Sequence, residues 1–135
     1  MKLNTIIQVL SAVGANLTGS RYFNERDPDL IKLRPDTDYD FVIGVGEFGE
    51  AEGVLYKLGF LSKSSFSYTT KTGTVMVLGM VTEDGVGVDL IVKSNITRYL
   101  HAFEQMTPEF YYCRIWKSAG VASKLEIEDN LWEVL

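Results

Sequence analysis

Between Thr74 and Val92 the chain reads TVMVLGMVTEDGVGVDLIV, two apolar runs rich in β-branched residues on either side of a turn that carries Asp84-Gly85. The pair predicts a β-hairpin over 74–82 and 86–92, because Asp-Gly adopts the turn conformations that match the twist of the flanking strands. A sheet is therefore expected in the middle of the chain. Its ends read differently. Leu3, Ile6, Ile7, Leu10 and Val13 recur at helical spacing and stop at Gly14. Beyond Ser94 the pattern is again helical, in NITRYLHAFEQM and in PEFYYCRIWKSAG, the latter with Pro108 near its first turn and Gly120 past its end. LEIEDNLWEVL then reads as a short amphipathic helix that docks Leu131, Trp132 and Leu135.

Between these limits lie NLTGSRYF, a short strand leading into a turn, and NERDPDLIKLRPDT, a loop over 24–37 with two prolines and charges of both signs. Loops of that length inside a small domain are usually functional or disordered. DYDFVIGV follows as a strand, EFGEAEGVLYKL (47–58) as a helix weakened by Gly49 and Gly53, and SSFSYTT as a strand before a turn at KTG. The order α, β, β, α, β, β, β, α, α predicts an α/β (α+β) fold, a mixed sheet flanked by helices. The length of 135 residues fits a single domain over 1–135, with helices from about residue 95.

Composition narrows the chemistry. Apolar residues make up 46% and charged residues 23%, as in globular proteins, and the net charge is −5. That charge argues against a broad grip on nucleic acid and leaves room for a local basic pocket. With Cys113 as the sole cysteine, an internal disulfide and a four-thiolate metal site are excluded; the thiol reads as buried in EFYYCRIW, and a reducing, cytoplasmic location is expected. His101 is the sole histidine, so no histidine-rich metal centre is expected. No apolar run is long enough to span a bilayer, and the first residues lack the order of a secretory signal.

The acids are the feature that needs a reason. Asp38 and Asp40 lie one residue apart at the start of FVIGV. In a strand they share a face, with backbones roughly 6.6 Å apart. Two neighbouring anions repel, and each resists desolvation, a cost that solvent or a divalent cation relieves. Asp89 lies in an equally apolar run, GVGVDLIV. If the two strands are neighbours, the three acids converge on a site for one or two Mg²⁺ ions and the phosphates of a nucleotide. The structural alternative is that Asp38, beside Thr37, is a turn or cap residue. Upstream, Gly19-Ser20 follows a strand: glycine permits close backbone approach, successive N–H groups cup phosphate, and Arg21 adds a fork of donors.

TGSR, then TDYDFVI, then VGVDLIV resembles the nucleotidyltransferase fold superfamily, which includes polymerase beta-like enzymes and small stand-alone domains. The resemblance covers roughly residues 3–92. It implies that Gly19 and Ser20 contact the triphosphate, beside the phosphate-holding role read for Arg21 from its donors. Asp38, Asp40 and Asp89 would be both the catalytic residues and the metal ligands, with Asp89 helping to activate the acceptor hydroxyl. Mg²⁺ is the implied ion, with Mn²⁺ as its substitute, and an NTP such as ATP the implied substrate. The small size leaves little room for a separate acceptor-binding domain. The acceptor is therefore expected to be either a macromolecule, protein or tRNA, or something held with help from a second subunit, with a homodimer or a partner protein as the associated expectation. Two departures stand out: the gap between Gly-Ser and the acid pair is stretched, and bulky Tyr22 and Phe23 replace the small residues usual after it.

Those departures and the net charge of −5 keep one further reading open, and the clustered acids, which also serve in-line displacement by water, a second. One is a non-catalytic protein that binds nucleotide or inhibits a partner; the other is a metal-dependent phosphohydrolase or nuclease. Lys32 and Arg34 in the loop either reach over the site or are solvated, and Lys93 lies just past the strand of Asp89. Lys71 reads as turn chemistry. Arg114 and Lys117, on one helix face with Tyr111, read as helix-end cations or as cleft lining, and Phe110, Tyr112 and Trp116 as core with one or two rings free to stack on a base.

Overall fold

The computed structural model describes residues 3–70 and 73–112. Lys71, Cys113, Arg114, Trp116, Lys117 and the expected C-terminal helix lie outside the described residues. The elements are α1 (Leu3–Ala12), β1 (Asn16–Thr18), α2 (Gly19–Arg26), β2 (Tyr39–Gly44), α3 (Val45–Lys57), β3 (Leu61–Thr70), β4 (Gly73–Val81), β5 (Gly87–Lys93) and α4 (Ile96–Phe103). A helical stretch at 108–112 follows, its start capped by Thr107 Oγ1, which accepts from the Phe110 N–H at 3.1 Å.

The strands form one mixed sheet in the order β1-β2-β5-β4-β3. The expected hairpin is β4–β5, antiparallel with Leu78 opposite Leu90. Its turn is closed by the Gly85 N–H on the Thr82 carbonyl (3.0 Å) and the Val86 N–H on Thr82 Oγ1 (3.1 Å). β2 and β5 are parallel neighbours joined by the crossover through α3, β3 and β4.

Alternation along the strands separates two cores. Phe41, Ile43, Val88, Leu90 and Val92 point to one face and pack with Ile6 and Leu10 of α1 and Ala51 and Leu55 of α3. Val42 points to the other face, into a second cluster with Phe23 of α2, Ile31, Tyr99 and Phe103 of α4, and Phe110. In the second cluster the Phe23 ring lies against Tyr111 (4.6 Å) and Phe103 (5.7 Å). The mixed sheet with helices on both faces is the architecture expected from the order of elements.

Three local expectations change. TGSRYF is not a strand running into a turn: β1 ends at Thr18, and Gly19-Ser20-Arg21 is the first turn of α2. The expected loop 24–37 therefore begins as helix, and irregular chain starts only at Asp27. That irregular segment is also tied down. Asp27 Oδ1 accepts from the Leu30 N–H (3.1 Å), Asn24 Nδ2 donates to the Ile31 carbonyl (2.7 Å), and Ile31 is buried. Finally, β3 starts at Leu61 rather than Ser64, with a register shift between Ser62 and Ser64.

Candidate functional site

The parallel register of β2 and β5 sets Asp40 directly beside Asp89. Both alternate with residues of the α1–α3 core, so both carboxyl groups point to the opposite face, where α2 begins. Gly19 opens that helix with φ +73°, and a Cβ there would overlap the Asp40 carboxyl group. Only glycine meets both conditions without strain. Asp38 precedes the first residue of β2 and is exposed; its carboxylate rests against Gly87, where a side chain would collide with it. All three acids are thus approached closely by glycine backbone: on the other side of Asp89, a Cβ at Gly79 would come 3.2 Å from Oδ1.

The electrostatics follow from this crowding. Burial, the charge of Asp89, a hydrogen bond with Asp89 and the charge of Asp38 push the Asp40 carboxyl up from 3.8 to about 7, against a smaller opposing pull from Arg21. Burial and the Asp38 charge also raise Asp89, while its hydrogen bond with Asp40 and the ammonium of Lys63 oppose them. The two carboxyl groups share a hydrogen bond and titrate as a pair, both raised. The opposing charges of Arg21 and Lys63 do not outweigh burial and the neighbouring acids.

The residues upstream are already engaged. Ser20 Oγ lies 2.8 Å from the Tyr111 hydroxyl, and Thr18 Oγ1 lies 3.1 Å from that of Tyr99. Arg21 donates from Nε (3.1 Å) and Nη2 (2.6 Å) to the Thr37 carbonyl, with its guanidinium 3.9 Å over the Tyr39 ring. It therefore clamps the end of the 27–38 segment onto the start of β2. Arg34 turns outward to Asp36 at 3.6 Å, a pair so exposed that it adds little. Lys32 is exposed, and Lys93 is buried with its ammonium 4.5 Å over the Tyr99 ring.

Sequence reasoning passed over Lys63 and Phe66. A cleft of about 320 Å³ runs from Asp38 and Asp89 across Gly79 and Gly87 to Lys63 and Phe66. The register shift in β3 aims Lys63 into it, as bulges commonly re-aim a side chain. A bulge depends on the partner strand, so no local pattern announced it.

Among the described residues, no three acidic, histidine or cysteine side chains are gathered at metal-binding geometry. Asp40 and Asp89 are paired, while Asp38 stands apart against Gly87. No family model matches the chain, and neither a curated protein nor a solved structure does. Among the described residues, no helix is long and apolar enough to cross a membrane.

Proposed function

We propose that the chain is a Mg²⁺-dependent nucleotidyltransferase that moves a nucleoside monophosphate from an NTP to a hydroxyl. The observation that carries this reading is the registered Asp40–Asp89 pair lying against Gly19 at the start of α2. Carboxylate oxygens are hard donors of the kind Mg²⁺ takes; Asp40 and Asp89 lie side by side, and Asp38, which stands apart against Gly87, would have to turn toward them to complete the set. Asp38, Asp40 and Asp89 would hold it. When bound, the ion would neutralise phosphate charge and lower the pKa of the attacking hydroxyl.

The chain's own groups have distinct tasks. The N–H groups at the start of α2 and the Ser20 hydroxyl bind the leaving phosphates, aided by the nearby charge of Arg21. Asp89 accepts the acceptor hydroxyl's proton. The acceptor oxygen bonds to the α-phosphorus as the bond to the bridging oxygen breaks, and pyrophosphate leaves.

Incubation with Mg²⁺, α-labelled NTPs and cell extract should label a macromolecule and release pyrophosphate, and Asp40→Asn should abolish both. Full activity in that variant sinks the proposal. Release of inorganic phosphate or a cut strand would assign hydrolysis instead.

A non-catalytic, nucleotide- or partner-binding role is the second reading, favoured by the engagement of Ser20 with Tyr111 and of Arg21 with Thr37. Calorimetry with Mg²⁺ and each NTP separates a nucleotide site from a partner-only role.

A further inference from the structure

β3 is the edge of the sheet opposite β1, and among the described residues its outer side carries no strand. From Ser64 to Thr70 it reads SSFSYTT, with no charge, no proline and no glycine. Sheet edges are commonly blunted by charge, proline or a bulge, because an open ladder is a template for another strand. Here Lys63 and the register shift between Ser62 and Ser64 guard the start of β3, and such devices stop there. Residues 64–69 are all exposed, Phe66 at 56% and Tyr68 at 43%.

The direction of the open ladder follows from the far side of β4. Thr74 donates its N–H to Ser94 Oγ (3.1 Å), and its carbonyl accepts from the Ser94 N–H (3.2 Å), so its backbone groups face the β5 side. Alternation turns Met76 and Leu78 the same way. The residues opposite Thr74, Met76 and Leu78 in β3 are Thr69, Ser67 and Ser65. Each lies in a pair that is not hydrogen-bonded to β4, and so turns its N–H and C=O away from the sheet.

Laid antiparallel to itself about Ser67, the stretch meets residues of its own kind. Ser65 faces the partner's Thr69, Phe66 the partner's Tyr68, and Ser67 the partner's Ser67. Every outward N–H and C=O then has a partner. The aromatic residues fall in the non-hydrogen-bonded pairs, where facing side chains come closest. Phe66 and Tyr68 of one chain already lie 6.3 Å apart at an interplanar angle of 20°, so pairing joins them into a row of four rings. Sliding by one residue sets outward groups against inward ones. Sliding by two leaves Ser65 or Thr69 of each copy without a partner in the stretch. An unrelated strand satisfies the backbone alone; a second copy satisfies backbone and side chains together.

We propose that β3 pairs with β3 of a second copy of this chain, antiparallel across a two-fold axis at Ser67. Both copies use the same edge, so the assembly closes as a dimer. The joined sheet ends on each side at β1, whose three residues are too short to recruit another strand. Asp40 and Asp89 lie on β2 and β5, away from the joint, so the dimer stands or falls independently of the transferase reading.

The test is sedimentation equilibrium of the full chain from about 1 to about 200 μM, where mass action reveals a dimer. The wild type should shift from 15.1 kDa toward twice that mass. Ser67→Lys sets two cations opposite each other at the axis and should stay monomeric throughout. Ser67 is exposed, so the far-UV circular dichroism of this variant should match the wild type. Phe66→Ala removes both aromatic pairs and should weaken the dimer about tenfold. Cysteines then test the register, with Cys113→Ser in each protein. Facing residues of a hydrogen-bonded pair lie about 5.5 Å apart at Cα, within disulfide reach. Oxidised Ser67→Cys should therefore run as a covalent dimer. Ser65→Cys, whose two cysteines are about four residues out of register, should not. A monomer at every concentration, a dimer unaffected by Ser67→Lys, or bridging at residue 65 as readily as at 67 overturns the assignment. Should Ser67→Lys unfold, the cysteine comparison decides by itself.

Discussion

β2 and β5 show two characters on their two sides. Toward α1 and α3 they present Phe41, Ile43, Val88, Leu90 and Val92, all buried in one continuous apolar cluster. Toward α2 they present Asp40 and Asp89, and only farther along is that face sealed, by Val42 against Phe23, Tyr99 and Phe103. One face contributes stability by removing apolar surface from water. The other holds carboxyl groups whose burial opposes ionisation, so it is less stable than an apolar face would be. Ionisable groups whose burial opposes ionisation, gathered beside a cleft, make this face the candidate for binding and chemistry.

The sharpest way to break this comparison is from the apolar side. Phe41→Ala should lose about 3–5 kcal/mol in urea denaturation, through lost transfer energy and a cavity. That is a large part of the roughly 5–15 kcal/mol typical of a whole domain. A loss under about 1 kcal/mol would mean this face is not the stabilising one.

The boundary between the faces is tested next, at Gly19. Gly19→Ala combines a left-handed backbone with overlap on Asp40, and should cost about 1–2 kcal/mol from the backbone alone. It should also displace Asp40 and reduce nucleotide transfer far more than its stability cost explains. Unchanged stability with unchanged transfer would show that Asp40 needs no close backbone at that point.

What the sequence revealed divides along the same line. The β4–β5 hairpin was legible because its signals are local: β-branched runs and Asp84-Gly85. The convergence of Asp40 and Asp89 was legible because strand alternation is strict, once the two strands are taken as neighbours. Helix α2 was not legible. It has eight residues, begins at a glycine with positive φ, and carries adjacent Tyr22 and Phe23, of which only Phe23 is fully buried. So short an element shows no helical period. The order of the 27–38 segment rests on bonds from Asn24 to Ile31 and from Arg21 to Thr37, and the aim of Lys63 on a bulge against β4. Each is a long-range fact without a local signature.

The central claim is that burial beside Asp89 and Asp38 raises Asp40 and makes it the acid that responds to a cation, and thermal melting across pH tests it most directly. The folded value of Asp40 is about 7 against 3.8 ordinarily, so folding takes up a proton between those values. Its contribution to stability is complete below 3.8, declines as pH rises, and is lost above about 7. Wild type and Asp40→Asn should therefore melt alike near pH 4, with the variant increasingly the more stable up to about pH 8. Asp89, raised in the same direction, adds a slope that the variant keeps in part. Mg²⁺ at about pH 8 should raise the melting temperature of the wild type and leave that of the variant unmoved. Parallel curves for the two proteins, with no response to Mg²⁺ in either, would contradict the account.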